Sequence, residues 1–556
     1  MLWLCGICPL LADSFVVHTY PQPGLHRAIS QVNAQPWLES IQPAASAEFF
    51  GFDYDKASVQ QYKFDYIAHL ERSSRQQLSL SAELQNWFTQ HPIIREQFWL
   101  SLSPTHDDMA QCIAIFDNLR RLFPERMEEY YQLAIATAVV WDQPDAIISS
   151  RNIGIWGYEA EQFSKPASYS EIFDYYSNSR HQDSFVFSPK SLPWQALVHV
   201  VDQDLSVNEM EWAVQQFQAE RYDMRSLYNK VPYDESKLST GNAALHKKSY
   251  DLKNLIRYGG LCGDRATFLT RVAKAFAIPA MKMRIEAAGT SWGHVWAGHL
   301  LDNMNEARLA HTGKSSACVQ QCGWAYDPQT RTLVREDKMS MVLMAAMMRH
   351  AALMDAQFLA QRAAENFHSN PPLSLELSLA AIGACNASPL GWHMLNHHTA
   401  TGQFPFDHAL KLFKACGKWR QNYPNMAAEY LNCMIHAMPD DLSENQWACL
   451  AEYLHDENVS TEQSISLLHT LLAKTHNPTM AHDAMALVAR ICKHPSTSTL
   501  LTSPLLQESL HIAQAYDLQN ELAPLLKNLS QALQQHNSLV PEWLVAQSSQ
   551  AKPREL

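Results

Sequence analysis

The sequence contains no run rich in lysine and arginine, and its 556 residues carry a formal net charge of −13. A dedicated nucleic-acid-binding protein is normally basic on at least one face, so this composition argues against that class. Beyond the first twelve residues, no segment approaches the roughly 20 consecutive apolar residues that a membrane-spanning helix needs. We therefore predict no nucleic-acid partner and no transmembrane segment.

The cysteines lack the pattern of a disulfide framework, because their number, 11, is odd and they are scattered along the chain. Cys318 and Cys322 lack the two-residue spacing and the second pair that are typical of structural zinc. We therefore expect neither a metal nor another cofactor. Two alternatives stay open for this pair, a disulfide if the protein is exported and two free thiols if it is not.

The apolar run MLWLCGICPLLA at residues 1–12 is too short to cross a bilayer. We interpret it as a signal segment whose start lies upstream and whose cleavage site follows Ala12, although a basic region is missing. This interpretation predicts export to the periplasm or the extracellular space. The alternative is a short strand or helix packed on the body of the protein, which would make the protein cytoplasmic.

The length of the chain predicts about three domains. Apolar periodicity indicates a mainly helical region over 13–190, a mixed α+β region over 191–345, and helical hairpins over 346–556. Helices in the last region are expected to start alike at Pro389, Pro424 and Pro478. The intervals between these prolines are unequal, so a plain helical bundle remains the alternative to a repeat array.

The middle region contains YGGLCGDRATFLTRVAKAFAIPA at residues 258–280. Its apolar residues after Cys262 form one stripe of a helix, which places Cys262 at the helix N-terminus. The free N–H groups and the positive end of the helix dipole at that position favour a thiolate. Asp264 and Arg265, in the first turn, are expected to be solvated.

Three short strands follow this helix. Residues 281–286 alternate apolar and polar side chains, which predicts a half-buried strand. His294 opens a second strand, and a third ends at Asp327. His299 is expected on the strand face opposite His294, which argues against a shared metal. A cysteine at a helix start, a histidine on a strand and an aspartate on the neighbouring strand form a nucleophile, base and orienter.

The stretches 258–280, GHVWAG (293–298) and WAYDP (324–328) together resemble the transglutaminase-like, papain-like cysteine-enzyme core. That family has a Gly-x-Cys helix closing on Gly-Ile-Pro, a strand with His-x-Trp and a strand ending in Asp-Pro. The resemblance covers about residues 258–330 and implies a catalytic triad of Cys262, His294 and Asp327. This chain has Ala277 where the family usually has glycine.

A second resemblance is to large bacterial proteins of unassigned role that join a helical region, this core and another helical region. It is carried by LAIATAVVWD (133–142), SLPWQALVHVVDQDLSVNEMEWA (191–213) and YDPQT (326–330). It implies this three-part architecture for most of the chain but does not identify a substrate.

The spacing between His294 and Asp327, 33 residues, is longer than the family's usual link. The intervening insertion also leaves Asp302 as a rival third member of the triad. The backbone N–H of Cys262 is the expected first donor to an oxyanion. Trp194 and Tyr258 are alternatives for the second donor. Trp296 is expected either to line the cleft or to pack as an ordinary core aromatic.

These residues predict thiol-dependent acyl transfer on an amide of a protein or peptide substrate. With water as acceptor the protein would be a peptidase or amidase, and with a protein amine it would be a crosslinking enzyme. Hydrolysis is favoured because it needs no second binding site. The alternative is an inactive transglutaminase-like scaffold whose C-terminal helical array binds a partner protein.

Overall fold

The computed structural model describes most of the chain between residues 56 and 492. The described ranges are 56–77, 80–143, 158–241, 243–285, 293–301, 309–315, 322–415, 423–439 and 461–492, with isolated residues between 419 and 518. The proposed signal segment, Asp302 and Cys318 lie outside these ranges.

Thirteen α-helices precede the sheet in the described chain. They are α1 (Lys56–Gln77), α2 (Ala82–Gln90), α3 (Pro92–Ser101), α4 (Met109–Leu122), α5 (Pro124–Met127), α6 (Tyr131–Trp141), α7 (Tyr169–Ser177), α8 (Trp194–Val201), α9 (Val207–Phe217), α10 (Met224–Asn229), α11 (Glu235–Thr240), α12 (Leu252–Tyr258) and α13 (Cys262–Ala275). Local signals set several starts. Ser206 caps α9 by accepting a hydrogen bond from the Glu209 N–H, and Pro124 occupies the first position of α5.

Five strands form one antiparallel sheet in the order β3-β2-β1-β4-β5. They are β1 (Ala280–Ile285), β2 (His294–Leu300), β3 (Leu309–Thr312), β4 (Trp324–Tyr326) and β5 (Leu333–Arg335). The described residues are otherwise mostly helical, which confirms the α+β class. β1 is the central strand, with β2 on one side and β4 on the other.

Strand β1 is buried on both faces, so the prediction of a half-buried strand is wrong. Lys282 lies on its polar side and is only 9% exposed. The reason is that α13 contacts β1 and β2, where the negative charge of Asp204 favours the charged form of Lys282 and the positive charge of Arg271 on α13 opposes it. The alternation arises from buried charged side chains and not from a solvated face.

The turn between α13 and β1 contains Ala277, where the Gly-Ile-Pro pattern would place a glycine. Ala277 has a φ angle of +57°, in the left-handed region that favours glycine. Its N–H donates to the Lys274 carbonyl at 2.8 Å, which closes the end of the helix. The turn is thus the one that glycine usually makes, held here by a buried alanine.

Helices resume after the sheet. They are α14 (Glu336–Asn366, kinked at Arg349), α15 (Pro371–Ala384), α16 (Pro389–Ala400), α17 (Phe406–Ala415), α18 (Pro424–His436), α19 (Thr461–Lys474) and α20 (Pro478–Cys492). The predicted helix starts at Pro389, Pro424 and Pro478 are confirmed. None of the described helices is long and apolar enough to span a bilayer.

Two hydrophobic clusters hold these elements together. The first includes residues from Val59 on α1 to Met394 on α16 and contains the inner side chains of the sheet. The second includes residues from Met341 to Ala513 and joins the C-terminal helices. The helices that precede the sheet therefore share a core with it, and that shared core fixes the sheet relative to α13.

Candidate active site

Cys262 is the first residue of α13, as the sequence predicted. The preceding Gly259 has a φ angle of +80°, and a Cβ there would lie 2.6 Å from the Pro232 carbonyl oxygen. Glycine is therefore required for the close approach of the chain just before the cysteine. Cys262 itself is partly exposed.

A buried polar network lies under the first turn of α13. Asp264 accepts hydrogen bonds from the Leu261 N–H at 2.7 Å and from the Tyr250 hydroxyl at 2.9 Å. It also pairs with Lys237 at 3.1 Å, and both side chains are 1% exposed. The expectation that Asp264 is solvated is wrong, because these partners compensate its charge inside the protein. The network fixes the helix start that carries Cys262.

His294 is the first residue of β2 and lies beside Cys262, so that each side chain affects the pKa of the other. Burial alone would raise the pKa of the Cys262 thiol. Hydrogen bonds from His294 and from the N–H groups of Val295 and Gly263, with the charge of His294, instead bring that pKa below its ordinary value. The same hydrogen bond raises the pKa of His294 against the effect of its own burial. Both shifts favour a thiolate–imidazolium pair.

The Nε2 atom of His294 lies 2.8 Å from the carbonyl oxygen of Gly313. A carbonyl oxygen only accepts hydrogen bonds, so Nε2 carries the hydrogen and Nδ1 is the ring atom left for Cys262. Gly313 follows β3 directly. The position expected of a triad carboxylate is thus filled by a backbone carbonyl from the insertion.

Asp327 does not lie beside His294. The prediction that β4 neighbours β2 is wrong, because β1 lies between them. The register puts His294 opposite Ile285 and Ala325 opposite Met283. Continued to Asp327, this register separates the two residues by roughly 14 Å along the strands and two strand spacings, about 10 Å, across them.

The Asp327 carboxylate instead stabilises the turn that follows β4. It accepts hydrogen bonds from the N–H groups of Gln329 at 3.1 Å and Thr330 at 2.7 Å. The same turn docks onto the N-terminal helical region through Arg331, which pairs with Asp142 and donates to the His106 carbonyl oxygen at 2.5 Å. Asp327 is a structural residue of this turn.

Lys314 and Glu336 hold the segment that carries Gly313. Lys314 pairs with Glu336 at 2.7 Å, and each side chain is 12% exposed. The Lys314 ammonium also lies 4.9 Å from the centroid of the Trp296 ring. Trp296 is fully buried and stacks on the His294 ring at 5.9 Å, so it supports His294 and does not line an open cleft.

Two tyrosines that the sequence analysis missed lie in the neighbourhood of the thiol. Cys262 influences the titration of both Tyr228, on α10, and Tyr233. A Cβ at Gly313 would lie 2.5 Å from the Tyr228 hydroxyl, which is therefore close to the His294 support as well. Burial raises the pKa of Tyr228 to about 12, so the hydroxyl remains protonated at neutral pH. No sequence pattern distinguishes these tyrosines from others.

The residues expected as second oxyanion donors have other contacts. Trp194 is buried, and its Nε1 donates to the Met354 sulfur at 3.3 Å. Tyr258 packs against Lys248 and Arg257. Arg265, also expected to be solvated, is half-buried and donates to the Asn229 side chain at 2.6 Å.

The remaining sequence candidates involve metals and thiols. His299 is buried, and its Nε2 atom lies 3.2 Å from the Thr312 hydroxyl. Cys322 is a buried free thiol whose pKa burial raises. Within the described ranges, no group of three histidine, cysteine or acidic side chains is placed to hold a metal ion.

Comparison with known proteins gives no further assignment. The chain matches no protein-family profile, no curated protein and no solved structure.

Proposed function

We propose that the protein is a thiol-dependent acyl-transfer enzyme of the transglutaminase-like type that cleaves an amide in a peptide or protein. The observation that carries this proposal is the placement of Cys262 at a helix N-terminus and of His294 at the start of the adjacent strand β2, where each side chain shifts the pKa of the other in the direction that favours its charged form. A structural cysteine gains nothing from this arrangement, whereas a nucleophile requires it.

The reaction begins with attack of the Cys262 thiolate on the amide carbonyl carbon. The oxyanion that forms accepts hydrogen bonds from the backbone N–H of Cys262 and, in our assignment, from the Tyr228 hydroxyl. His294 then gives its Nδ1 proton to the leaving nitrogen as the carbon–nitrogen bond breaks. The products of this step are a thioester on Cys262, a free amine and a neutral imidazole.

Water completes the cycle. The neutral His294 takes a proton from water through Nδ1 while the oxygen attacks the thioester carbonyl. Collapse of the second tetrahedral intermediate releases the carboxylic acid and restores the thiolate–imidazolium pair. Throughout both steps the Gly313 carbonyl holds Nε2–H, which keeps Nδ1 directed at the reacting atoms.

An acyl-enzyme burst with 4-nitrophenyl acetate tests this function. We expect one nitrophenolate per chain to be released rapidly, with the acetyl group mapped to Cys262 by peptide mass analysis. The Cys262→Ala and His294→Ala variants should lose the burst. Cys433→Ala removes another partly exposed thiol and should retain it. Absence of acetyl-Cys262 in the folded native protein would favour the scaffold alternative.

A further inference from the structure

An extended stretch of backbone, Pro232–Asp234, runs beside the residues that precede Cys262. The Gly260 N–H donates to the Pro232 carbonyl oxygen at 3.0 Å, and the Asp234 N–H donates to the Gly260 carbonyl oxygen at 3.1 Å. These two bonds form a parallel β-bridge between Tyr233 and Gly260. In such a bridge, the N–H and C=O of the middle residue point to the opposite side.

The outer side of this stretch is open in the described part of the protein. No backbone hydrogen bond within that part uses the N–H or the C=O of Tyr233. Pro232 and Tyr233 are both exposed, and the Tyr233 side chain leaves the residue 47% accessible. One donor and one acceptor of an exposed residue therefore have no backbone partner in the described part, on an extended backbone that pairs with Gly260, two residues before Cys262.

The stretch is held firmly on its inner side. The Asp234 carboxylate accepts hydrogen bonds from the N–H groups of Ala244 at 2.8 Å and Lys237 at 3.2 Å, and Asp234 is 7% exposed. The close contact of Gly259 with the Pro232 carbonyl fixes the other end. A rigid edge of this kind binds a ligand without a large ordering cost.

We propose that the outer edge of Pro232–Asp234 binds the main chain of an extended peptide, which adds a strand there and brings one of its amides to Cys262. This proposal rests on the proposed acyl-transfer function and specifies its substrate as an unfolded peptide segment. The donor and acceptor of Tyr233 match the acceptor and donor of one residue in an extended peptide. The exposed Tyr233 ring then contacts a substrate side chain close to the scissile amide.

Two electrophiles separate peptide recognition from thiol reactivity. Iodoacetamide reports the Cys262 thiolate alone. A library of acetyl-dipeptidyl vinyl sulfones reports main-chain binding too, since the thiolate adds to the vinyl carbon and His294 protonates the resulting carbanion. Each library member is paired with counterparts N-methylated at each backbone nitrogen, which lack one N–H for the Tyr233 carbonyl.

We expect at least one vinyl sulfone to label Cys262 about tenfold faster than an N-methylated counterpart, the effect of one hydrogen bond. Tyr233→Pro, which removes the backbone donor together with the ring, should slow that labelling more than it slows iodoacetamide labelling. Tyr233→Ala, which removes the ring and keeps the backbone donor, is the matched control and should retain the roughly tenfold preference for the unmethylated probe. The N-methylated probes test the native chain even if the proline variant does not fold.

Equal rates for every paired probe, with rapid iodoacetamide labelling below neutral pH, would overturn peptide recognition and leave the Cys–His pair intact. Slow iodoacetamide labelling, with the pH dependence of an ordinary thiol, would overturn the acyl-transfer function and this inference with it. The two failures are therefore distinguishable in one set of rate measurements.

Discussion

The Nε2 atom of His294 and the carbonyl oxygen of Gly313 lie 2.8 Å apart, so a backbone group orients the ring that faces Cys262. A carbonyl fixes the tautomer as a carboxylate would, but it brings no full negative charge to the imidazolium. Cys262 is therefore the main group that favours the charged form of His294.

Replacing Asp327 tests whether that residue belongs to the site. Asp327→Ala removes the acceptor for two N–H groups, so we expect a stability loss of about 1–2 kcal/mol, similar to that of a lost cap. Asp327→Asn keeps an acceptor oxygen and should be nearly neutral. Urea unfolding measures both effects. A Cys262 labelling profile that shifts in either folded variant would instead support a catalytic carboxylate.

The Lys314–Glu336 pair is predicted to act on His294 through Gly313. Lys314→Met leaves Glu336 buried without its partner, which should cost about 3 kcal/mol and lower the thiolate fraction of Cys262. The double variant Lys314→Met/Glu336→Gln should recover part of the stability, because no buried charge is then unpaired. Thermal unfolding and iodoacetamide rates measure the two effects. A single variant with native stability would contradict this prediction.

The hydroxyl of Tyr228 is predicted to act on the oxyanion and not on the thiolate. Tyr228→Phe should reduce acyl-enzyme formation about 100-fold, the effect of removing one oxyanion donor. The iodoacetamide rate at Cys262 should change little, since alkylation forms no oxyanion. Tyr222→Phe removes an exposed tyrosine hydroxyl as the control. Equal losses in both rates would show that Tyr228 only supports the structure.

The left-handed turn at Ala277 predicts a stabilising substitution. Ala277→Gly relieves the unfavourable φ angle of +57°, which we expect to outweigh the greater freedom of glycine in the unfolded chain. The expected gain is about 0.5–1 kcal/mol, seen as a higher urea midpoint. Ala273→Gly, within α13, should be destabilising. A lower midpoint for Ala277→Gly would contradict the prediction.

Local patterns in the sequence predict the positions of two residues of the candidate site. The helix start at Cys262 and the strand start at His294 follow from apolar periodicity and glycine positions. Strand order does not, because alternation within a strand does not identify its neighbours. The prediction therefore placed Asp327 beside His294, whereas β1 is the central strand.

Gly313 and Tyr228 could not be found from residue types. A backbone carbonyl is available at every position, so only the pairing of β3 with β2 identifies the one that reaches His294. Tyr228 lies 34 residues before Cys262 and meets the site through the packing of α10 on α13. The burial of Asp264 does not follow from the sequence for the same reason, since its partners Lys237 and Tyr250 are distant along the chain.

The pH dependence of Cys262 alkylation by iodoacetamide tests the central claim most directly. It is measured from pH 4 to 9, with peptide mapping, on the native chain and on His294→Ala, with Cys262→Ala as the blank. His246→Ala, at an exposed histidine, is the matched control. Because the thiolate reacts and the thiol does not, the midpoint of the rate curve reports the pKa of Cys262.

We predict that the native midpoint lies below the value of an ordinary thiol, which is about 8.5. Below this midpoint the rate falls as the thiolate is protonated. In His294→Ala the midpoint should rise, because burial of Cys262 remains while the hydrogen bond and the charge of the imidazole are gone. A native midpoint near 8.5 that is the same in His294→Ala would contradict the thiolate–imidazolium pair and the enzyme built on it.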